Sequence, residues 1–226
     1  MEIYPDEVTT FAAVVLYGAP VAVAVLSYLL GCINGAIATS HIFYHDDVRR
    51  HGSGNAGLTN FYRNYGAKCA PMVIAFDMLK AVGAVLLGNY FLGYLLGWGA
   101  AGKYFGALFC VIGHMFPVFY GFKGGKGVSS TCGVMLMTFW WQALICYVIT
   151  IALIAITKFV SLGSLALVVL FGIPAGCIIG TLKVLVDRLK EIGKGEEDAE
   201  TVILLIRIER RCVFCYRFTV FLIILL

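Results

Sequence analysis

The chain has 226 residues, of which 61% are hydrophobic and only 13% are charged, and its mean hydropathy is +0.91. Soluble globular domains carry about 45–50% apolar and about 25% charged residues. This composition excludes a disordered chain, a collagen-like repeat and an ordinary soluble enzyme. The formal net charge of +4 is divided among short stretches, whereas nucleic-acid binding needs a continuous basic face. The composition therefore indicates an integral membrane protein.

The apolar runs predict an all-α, multi-pass bundle of about seven transmembrane helices, forming a single domain over 1–226. The first run ends near Leu30, and the later runs cover 69–102, 104–122, 127–157, 159–182 and 201–226. A single helix over 127–157 would be about 46 Å long, against a bilayer core of about 30 Å. We therefore favour two short crossings with a turn near 140–142, and one tilted helix remains the alternative.

The Lys and Arg residues of the short joints set the expected orientation. The joint over 34–68 holds four of them and the joint after the third run holds Lys123 and Lys126, whereas the N-terminus holds none. Because basic loops stay in the cytoplasm, we expect the N-terminus outside and both joints inside. The segment 183–200 is ambiguous. The acidic first ten residues lack the basic region of a cleavable signal peptide.

The eight cysteines do not predict a metal site. Six of them lie in or beside apolar runs, where cysteine behaves as a small hydrophobic residue. Cys212 and Cys215 form a C-x-x-C pair, but no second pair or nearby histidine completes a zinc site. We expect neither a metal nor a cofactor.

Two joints combine glycines, hydroxyl groups and basic side chains immediately before a predicted helix, over 47–63 and 113–130. Glycines let backbone N–H groups converge on an anion, and the N-terminus of the following helix adds partial positive charge. This chemistry predicts a site for one or two phosphates. It is not a nucleotide P-loop, because Lys126 is followed by Gly127 and not by the Ser or Thr that would hold magnesium.

Each of these features also has a simpler interpretation. Glycines at helix ends often only turn the chain, and loop lysines often only set topology. Asp77 and Lys80 lie three residues apart on one helix face, so we favour a structural ion pair over a functional intramembrane site. For His114 we favour a helix-end hydrogen-bonding role over catalysis.

Both joints resemble the signature loops of the bacterial acyl-phosphate:glycerol-3-phosphate acyltransferase family. The first matches through Asp47-x-Arg49, then Gly52-Ser53-Gly54-Asn55-x-Gly57-x-Thr59-Asn60 and Arg63. The second matches through Gly113-His114-x-Phe116-Pro117-Val118-Phe119 and then Phe122-Lys123-Gly124-Gly125-Lys126-Gly127-Val128. Asp77-x-x-Lys80 and the stretch 158–164 match in order and spacing. The resemblance runs from about Gly31 to Ser164.

The resemblance implies a seven-helix enzyme of the bacterial plasma membrane with its active site facing the cytoplasm. It implies transfer of a fatty acyl group from acyl phosphate to the sn-1 hydroxyl of glycerol 3-phosphate, giving lysophosphatidic acid and phosphate. The expected partners are therefore glycerol 3-phosphate, long-chain acyl phosphate and the lipid bilayer, without nucleic acid. The oligomeric state is not predicted.

The resemblance also implies the site residues. The catalytic set is Arg49, Ser53, Asn55, Asn60, His114, Lys123 and Lys126. The substrate-binding set is Cys32, Gly52, Gly54, Thr59, Arg63, Gly124, Gly125, Gly127, Ser161 and Ser164. The general base is unassigned, with His114 and a substrate phosphate oxygen as candidates.

Two departures from the family pattern bear on these expectations. Cys32 stands where the family has a phosphate-binding hydroxyl, and a thiol is a weak hydrogen-bond donor. The C-terminal His-x-x-Asn-x-x-Arg-Leu motif is missing, so the family-like part covers about 11–182 and the segment 183–226 is divergent. The alternatives are an anion transporter with basic loops against broken helices and a catalytically inactive homologue.

Overall fold

The computed structural model describes residues 5–160, 162–167 and 169–171, and within these ranges all regular structure is helical. The α-helices are α1 (Pro5–Cys32), α2 (Gly35–Tyr44), α3 (Leu58–Tyr65), α4 (Ala70–Gly88), α5 (Ala100–Met115), α6 (Val128–Thr138), α7 (Trp140–Thr157) and α8 (Leu162–Phe171). A π-helical turn over Asn89–Leu95 extends α4, and short 3-10 turns cover Val48–Arg50 and Val118–Tyr120.

Four segments of the described chain are long and apolar enough to cross a bilayer: Ala13–Cys32, Ala70–Leu95, Ala100–Tyr120 and Trp140–Thr157. The helices α6 and α8 are apolar but shorter. The all-helical membrane class predicted from the sequence is thus confirmed. The runs predicted after residue 171, with Cys212 and Cys215, lie outside the described residues.

The long uncharged run over 127–157 is divided at Phe139, between α6 and α7. Its φ of −138° and ψ of 72° end α6 one residue before the tryptophan pair. The predicted break is present slightly earlier than expected, but of the two predicted crossings only α7 is long enough to be a candidate span. With 11 residues, α6 is about 16 Å long and is too short to span a bilayer core of about 30 Å.

The polar joint over 34–68, expected as a loop, is largely folded. The carbonyl oxygen of the Asn34 side chain accepts from the N–H groups of Ala36 and Ile37 and so caps α2. Buried residues of α2, α3 and α4 and of the segments between them form a small apolar core: Ala36, Ile37, Val48, Ala56, Phe61, Cys69, Ala70 and Val73. Tertiary burial of this short apolar helix explains why charge density alone did not predict it.

Glycines bring α4 and α5 to backbone contact. A Cβ atom added at Gly88 would overlap the carbonyl oxygen of Gly102, and one at Gly106 would overlap that of Ala84. Small residues at such spacing are typical of close helix packing in membranes. The contact fixes the separation of the two helices that carry the charged residues described below.

The chain divides into two compact units, one ending at Trp140 and the other beginning at Trp141. In the second unit, the side-chain nitrogen of Gln142 donates to the carbonyl oxygen of Phe171 at 2.6 Å. A single domain over 1–226 stays a prediction. The loops that carry the candidate site both belong to the first unit.

Candidate active site

The two glycine-rich stretches meet at one end of the first unit. We name the connection from α2 to α3 loop 1 (residues 45–57) and the connection from α5 to α6 loop 2 (residues 116–127). The guanidinium of Arg49 in loop 1 donates from Nη1 to the carbonyl oxygen of Tyr120 in loop 2 at 2.9 Å. It also lies 5.4 Å from the centre of the Tyr120 ring. The expectation that both joints share one side is confirmed.

The carboxylate of Asp47, in the same loop, orients Arg49. Its Nε and Nη2 atoms donate to the carboxylate of Asp47 at 3.1 Å and 2.7 Å. This guanidinium lowers the pKa of Asp47, and the carboxylate raises the pKa of Arg49. Of the five N–H donors of an arginine, three are used in these contacts with Asp47 and Tyr120, and two can reach a ligand. The side chain is 24% exposed.

The buried amide of Asn60 organises loop 1. Its nitrogen donates to the carbonyl oxygens of Val48 and His51, both at 3.0 Å. Its oxygen accepts from the N–H of Ser53 at 3.0 Å and from the side chain of Asn64 at 3.1 Å. Both donors and both acceptor positions of this amide are therefore engaged within the loop and its helix.

A second polar cluster closes the outer edge of loop 1. The carboxylate of Asp46 accepts from the hydroxyl of Tyr65 at 2.8 Å and lies 2.6 Å from Nε2 of His51. The hydrogen bond from Tyr65 is the main reason that the pKa of Asp46 is lowered. Burial first, and then the neighbouring Asp46, raise the pKa of Tyr65 to about 12.

Loop 2 is held by its backbone. The N–H groups of Gly124 and Gly125 donate to the carbonyl oxygens of Met115 and His114, at 3.2 Å and 3.1 Å, so the loop folds back on the end of α5. A Cβ atom at either glycine would overlap that turn of α5. Lys123 and Lys126 flank the two glycines with exposed side chains, and neither forms an ion pair with a described residue.

Beneath the loops lies a buried ionic cluster of Asp77, Lys80 and His114. The ammonium of Lys80 lies 2.9 Å from Oδ1 of Asp77 and 2.7 Å from Nδ1 of His114. Each of the three side chains is at most 4% exposed. The predicted ion pair between Asp77 and Lys80 is confirmed, and His114 is hydrogen-bonded near the end of its helix as we favoured.

The same cluster fixes the junction between α1 and α2. Lys80 donates to the carbonyl oxygens of Gly31 and Ile33 at 3.1 Å and 2.7 Å, which occupies acceptors that the end of α1 leaves free. The N–H of Gly35 donates to Oδ1 of Asp77 at 3.0 Å. From the middle of this junction, the side chain of Asn34 donates to the carbonyl oxygen of Ala56 in loop 1 at 3.0 Å.

The structure brings some predicted site residues together and leaves others apart. Arg49, Ser53, Asn55 and the positive-φ residues Gly52 and Gly54 lie in loop 1. Thr59 is half-buried in the first turn of α3, and Arg63 is exposed in its last turn. Gly127, with φ of 84°, precedes α6. Ser161 lies outside the described residues, and Ser164 belongs to the second unit.

Cys32, like Asn60 and His114, is a buried candidate. Its side chain is 0% exposed. Its neighbour Gly31 lies against the backbone of Cys110, and a Cβ atom at Gly113 would come within 3.1 Å of the Cys32 nitrogen. Cys32 is thus placed where α1 packs on α5. Its role in substrate binding stays a prediction.

Sequence reasoning did not name Asn34, Asp47 or Tyr120 as site residues. Asn34 carried a readable signal, because an asparagine before an apolar helix is a typical N-cap. Asp47 also carried a signal, because a carboxylate two residues before Arg49 can form an ion pair with it. Tyr120 contributes its backbone carbonyl, which no side-chain pattern reveals.

The helical bundle with several apolar spans defines the class as an integral membrane protein, in which two basic, glycine-rich loops meet at one end. The family model described as glycerol-3-phosphate acyltransferase matches residues 21–224. The chain belongs to this family and is a glycerol-3-phosphate acyltransferase. The predicted glycerol-3-phosphate acyltransferase function, which produces lysophosphatidic acid, is confirmed, and the transporter alternative finds no support.

Relatives and solved structures agree with this assignment. The chain is 42% identical over 142 residues to the glycerol-3-phosphate acyltransferase of Thermoanaerobacter sp. (strain X514), covering 63% of this chain and 69% of the relative. It is 40% identical over 140 residues to that of Finegoldia magna, covering 62% and 68%. The crystal structure of PlsY (YgiH), an integral membrane glycerol 3-phosphate acyltransferase, in its glycerol 3-phosphate form is 26% identical, with a TM-score of 0.60 and 88% of both chains covered.

Proposed function

We propose that the protein transfers a fatty acyl group from acyl phosphate to the sn-1 hydroxyl of glycerol 3-phosphate. The hydroxyl oxygen forms an ester bond with the acyl carbon, the bond from that carbon to the phosphate oxygen breaks, and lysophosphatidic acid and inorganic phosphate leave. The hydroxyl proton goes to a phosphate oxygen or to solvent. The observation that carries this proposal is the meeting of the two basic loops through Arg49 and Tyr120.

Loop 2 suits the phosphate of glycerol 3-phosphate. The carbonyl oxygen of Tyr120 accepts from Arg49 and also from the backbone N–H of Lys123, so the guanidinium and the start of the Lys-Gly-Gly-Lys-Gly stretch are adjacent. Lys123 and Lys126 supply exposed positive charge. The N–H groups of Gly124 and Gly125 are bonded to carbonyl oxygens at the end of α5, so these two glycines hold the loop in place. Gly127 precedes α6, and the N-terminus of that helix can face an anion. Charge-assisted bonds of this kind are the strong ones.

Loop 1 supplies the remaining contacts in this proposal. Arg49 binds a phosphate oxygen with its two remaining donors, and Ser53 and Asn55 offer a hydroxyl and an amide, with Gly52 and Gly54 shaping the turn. Asn60 has no free hydrogen-bonding position, so we assign it the role of holding the loop. Thr59, Arg63, Ser161, Ser164 and Cys32 stay as substrate-binding predictions from the family pattern.

Little chemistry then remains for a protein base. Acyl phosphate carries a good leaving group, so positioning and stabilisation of developing charge can supply much of the rate enhancement. Nδ1 of His114 is 2.7 Å from an ammonium and its side chain is 2% exposed. Protonating it would place a second positive charge beside Lys80. We therefore prefer a substrate phosphate oxygen as the proton acceptor.

For the topology, we propose seven transmembrane helices in the bacterial plasma membrane, with the N-terminus outside and both loops in the cytoplasm. The four basic residues of 34–68 and the two of loop 2 support this orientation. Single cysteines introduced at Lys68 and Lys123 in a cysteine-free background should react with an impermeant maleimide only after the membrane is opened. Reaction from outside at either position would reverse the topology.

One assay tests the reaction. Purified protein should convert palmitoyl phosphate and glycerol 3-phosphate into lysophosphatidic acid and phosphate in equal amounts, and palmitoyl-CoA in place of the phosphate donor should give no product. An inactive homologue would bind radiolabelled glycerol 3-phosphate without making lysophosphatidic acid. Product from palmitoyl-CoA alone would contradict the proposed donor.

A further inference from the structure

The buried cluster is one part of a closed ring of contacts. The α1–α2 junction contacts Lys80 through the carbonyl oxygens of Gly31 and Ile33, and Lys80 contacts His114. From the other side, Asn34 of the same junction binds the carbonyl oxygen of Ala56. The remaining link is Gly125 of loop 2, which lies between His114 and Ala56.

Gly125 fits this position because it has no side chain. A Cβ atom there would overlap Nε2 of His114 and would lie 2.7 Å from the carbonyl oxygen of Ala56. The glycine backbone is therefore seated between the edge of the imidazole ring and loop 1. Its N–H also bonds to the carbonyl oxygen of His114. The edge of the imidazole ring therefore supports the backbone of the Lys-Gly-Gly-Lys-Gly stretch.

The hydrogen bonds define the protonation of that ring. An ammonium group only donates, so Nδ1 of His114 accepts the bond from Lys80 and carries no proton. The neutral ring then has its proton on Nε2, the edge next to Gly125. Oδ1 of Asp77 lies 3.4 Å from Nδ1 and 2.9 Å from the ammonium. With the carbonyl oxygens of Gly31 and Ile33, four acceptors surround the three N–H bonds of Lys80, so two of the acceptors share one N–H.

We propose that Asp77, Lys80 and His114 are positioning residues that set the height and orientation of the glycerol 3-phosphate loop through Gly125. Asp77 fixes Lys80, Lys80 fixes the rotamer and tautomer of His114, and His114 supports the loop. This inference rests on the proposed function of loop 2, and it deepens that function by assigning to the buried charges the specificity for one of the two substrates.

The central variant is His114→Asn. The asparagine oxygen can replace Nδ1 as the acceptor for Lys80, but the shorter side chain removes the edge beneath Gly125. We expect the KM for glycerol 3-phosphate to rise about tenfold or more, with the KM for palmitoyl phosphate within about twofold and kcat within about threefold of wild type. The matched control is Ser27→Ala, because Ser27 is a buried residue of α1 whose hydroxyl has no partner among the described residues.

A second variant tests the proposal if His114→Asn does not fold. Lys80→Met alone would leave a buried carboxylate without its counter-charge, so it is combined with Asp77→Asn. The double variant is neutral but can no longer orient His114, and it should show the same selective rise in KM. The coupling of His114→Asn with Gly125→Ala is the third measurement. If the histidine acts through Gly125, their effects on the KM for glycerol 3-phosphate are smaller together than their product.

Three results would overturn the proposal. A large loss of kcat with unchanged KM, together with loss of an acid limb in the pH profile of kcat, would make His114 a general base. Unchanged kinetics in the folded fraction of both variants would leave the cluster a packing feature. Multiplicative effects of His114→Asn and Gly125→Ala would show that the two residues act independently.

The proposed function and the positioning role can fail separately. If wild-type protein makes no lysophosphatidic acid, the proposed reaction fails. The equilibrium Kd of radiolabelled glycerol 3-phosphate, compared between wild type and His114→Asn, still measures whether the cluster positions the loop. An unchanged Kd would overturn the positioning role, and a weakened Kd would support it.

Discussion

Loop 1 is held by side chains, whereas loop 2 is held by its backbone. The amide of Asn60 in α3 and the carboxylate of Asp47 in loop 1 form hydrogen bonds with neighbouring groups of loop 1. In loop 2, N–H groups of two glycines bond to the last carbonyls of α5, and the lysine side chains take no part. The side chains of Asp47 and Asn60 are therefore structural, and the lysines of loop 2 are available to a ligand.

This difference separates two kinds of variant that a sequence motif would treat alike. Truncating a side chain that holds loop 1 should lower both stability and activity. Truncating a lysine of loop 2 should lower substrate affinity and leave stability unchanged. The largest effect is expected where one side chain makes the most contacts.

Asn60→Ala should have the largest effect. The change removes the hydrogen bonds of the Asn60 amide to the carbonyl oxygens of Val48 and His51 and to the N–H of Ser53, at a site that is 4% exposed. At about 1 kcal/mol or more for each lost bond, we expect a loss of about 3–4 kcal/mol of stability. The loss of stability is measured by thermal unfolding in detergent, with the activity that remains after heating as the readout. A variant with wild-type Tm and normal kinetics would show that loop 1 is held by something else.

Lys126→Ala should come next and should behave in the opposite way. The exposed ammonium makes no ion pair with the described residues, so the Tm should not change. A charge-assisted contact with phosphate is worth about 1.5–3 kcal/mol, so the KM for glycerol 3-phosphate should rise roughly 10- to 150-fold. Lys126→Arg should rescue this only in part, because a planar fork fits a crowded glycine loop less well than a point charge. Wild-type kinetics in Lys126→Ala would mean that loop 2 only turns the chain and that Lys126 does not bind phosphate.

Cys32→Ser should have a small effect. If Cys32 faced the substrate phosphate, serine would add a hydrogen bond worth about 0.5–1.5 kcal/mol and raise kcat/KM roughly two- to twelvefold. The complete burial of Cys32 predicts no such gain. As the only remaining cysteine it should resist alkylation with and without substrates, whereas a cysteine at the exposed position Lys123 should react. Substrate-dependent protection and a faster serine variant would return Cys32 to the pocket.

The smallest effect concerns Tyr65 at high pH. Because its pKa is raised from about 10 in the unfolded chain to about 12, the contribution of Tyr65 to stability is complete below pH 10 and is lost as pH rises towards 12. The difference in absorbance at 295 nm between wild type and Tyr65→Phe should titrate near pH 12. A midpoint near pH 10 would mean that Tyr65 is neither buried nor bonded to Asp46 in solution.

The sequence was sufficient for the elements that depend on composition and local pattern. Long apolar runs predicted the spans, the excess length of 127–157 predicted its division, and Asp77 and Lys80 were expected to pair because they share a helix face. The glycines and basic residues of both loops were also visible. Each of these features is decided by residues that are close along the chain.

Features that depend on contacts between distant residues could not be predicted. The third member of the buried cluster, His114, lies 34 residues beyond Lys80 and reaches it only because α4 and α5 pack closely. The helix α2 depends on burial against α4, which its composition does not encode. The full use of the Asn60 amide within loop 1 likewise follows from the path of the folded chain.

The glycine contact between α4 and α5 has a consequence for how the protein responds to its membrane. Where Gly88 meets Gly102 and Gly106 meets Ala84, the backbones leave no room for an acyl chain between the helices. Direct contact between the two helix backbones therefore sets the distance between Lys80 and His114. An acyl chain cannot enter between α4 and α5 at these positions, and we expect the distance between Lys80 and His114 to be the same in bilayers of different lipid length or unsaturation.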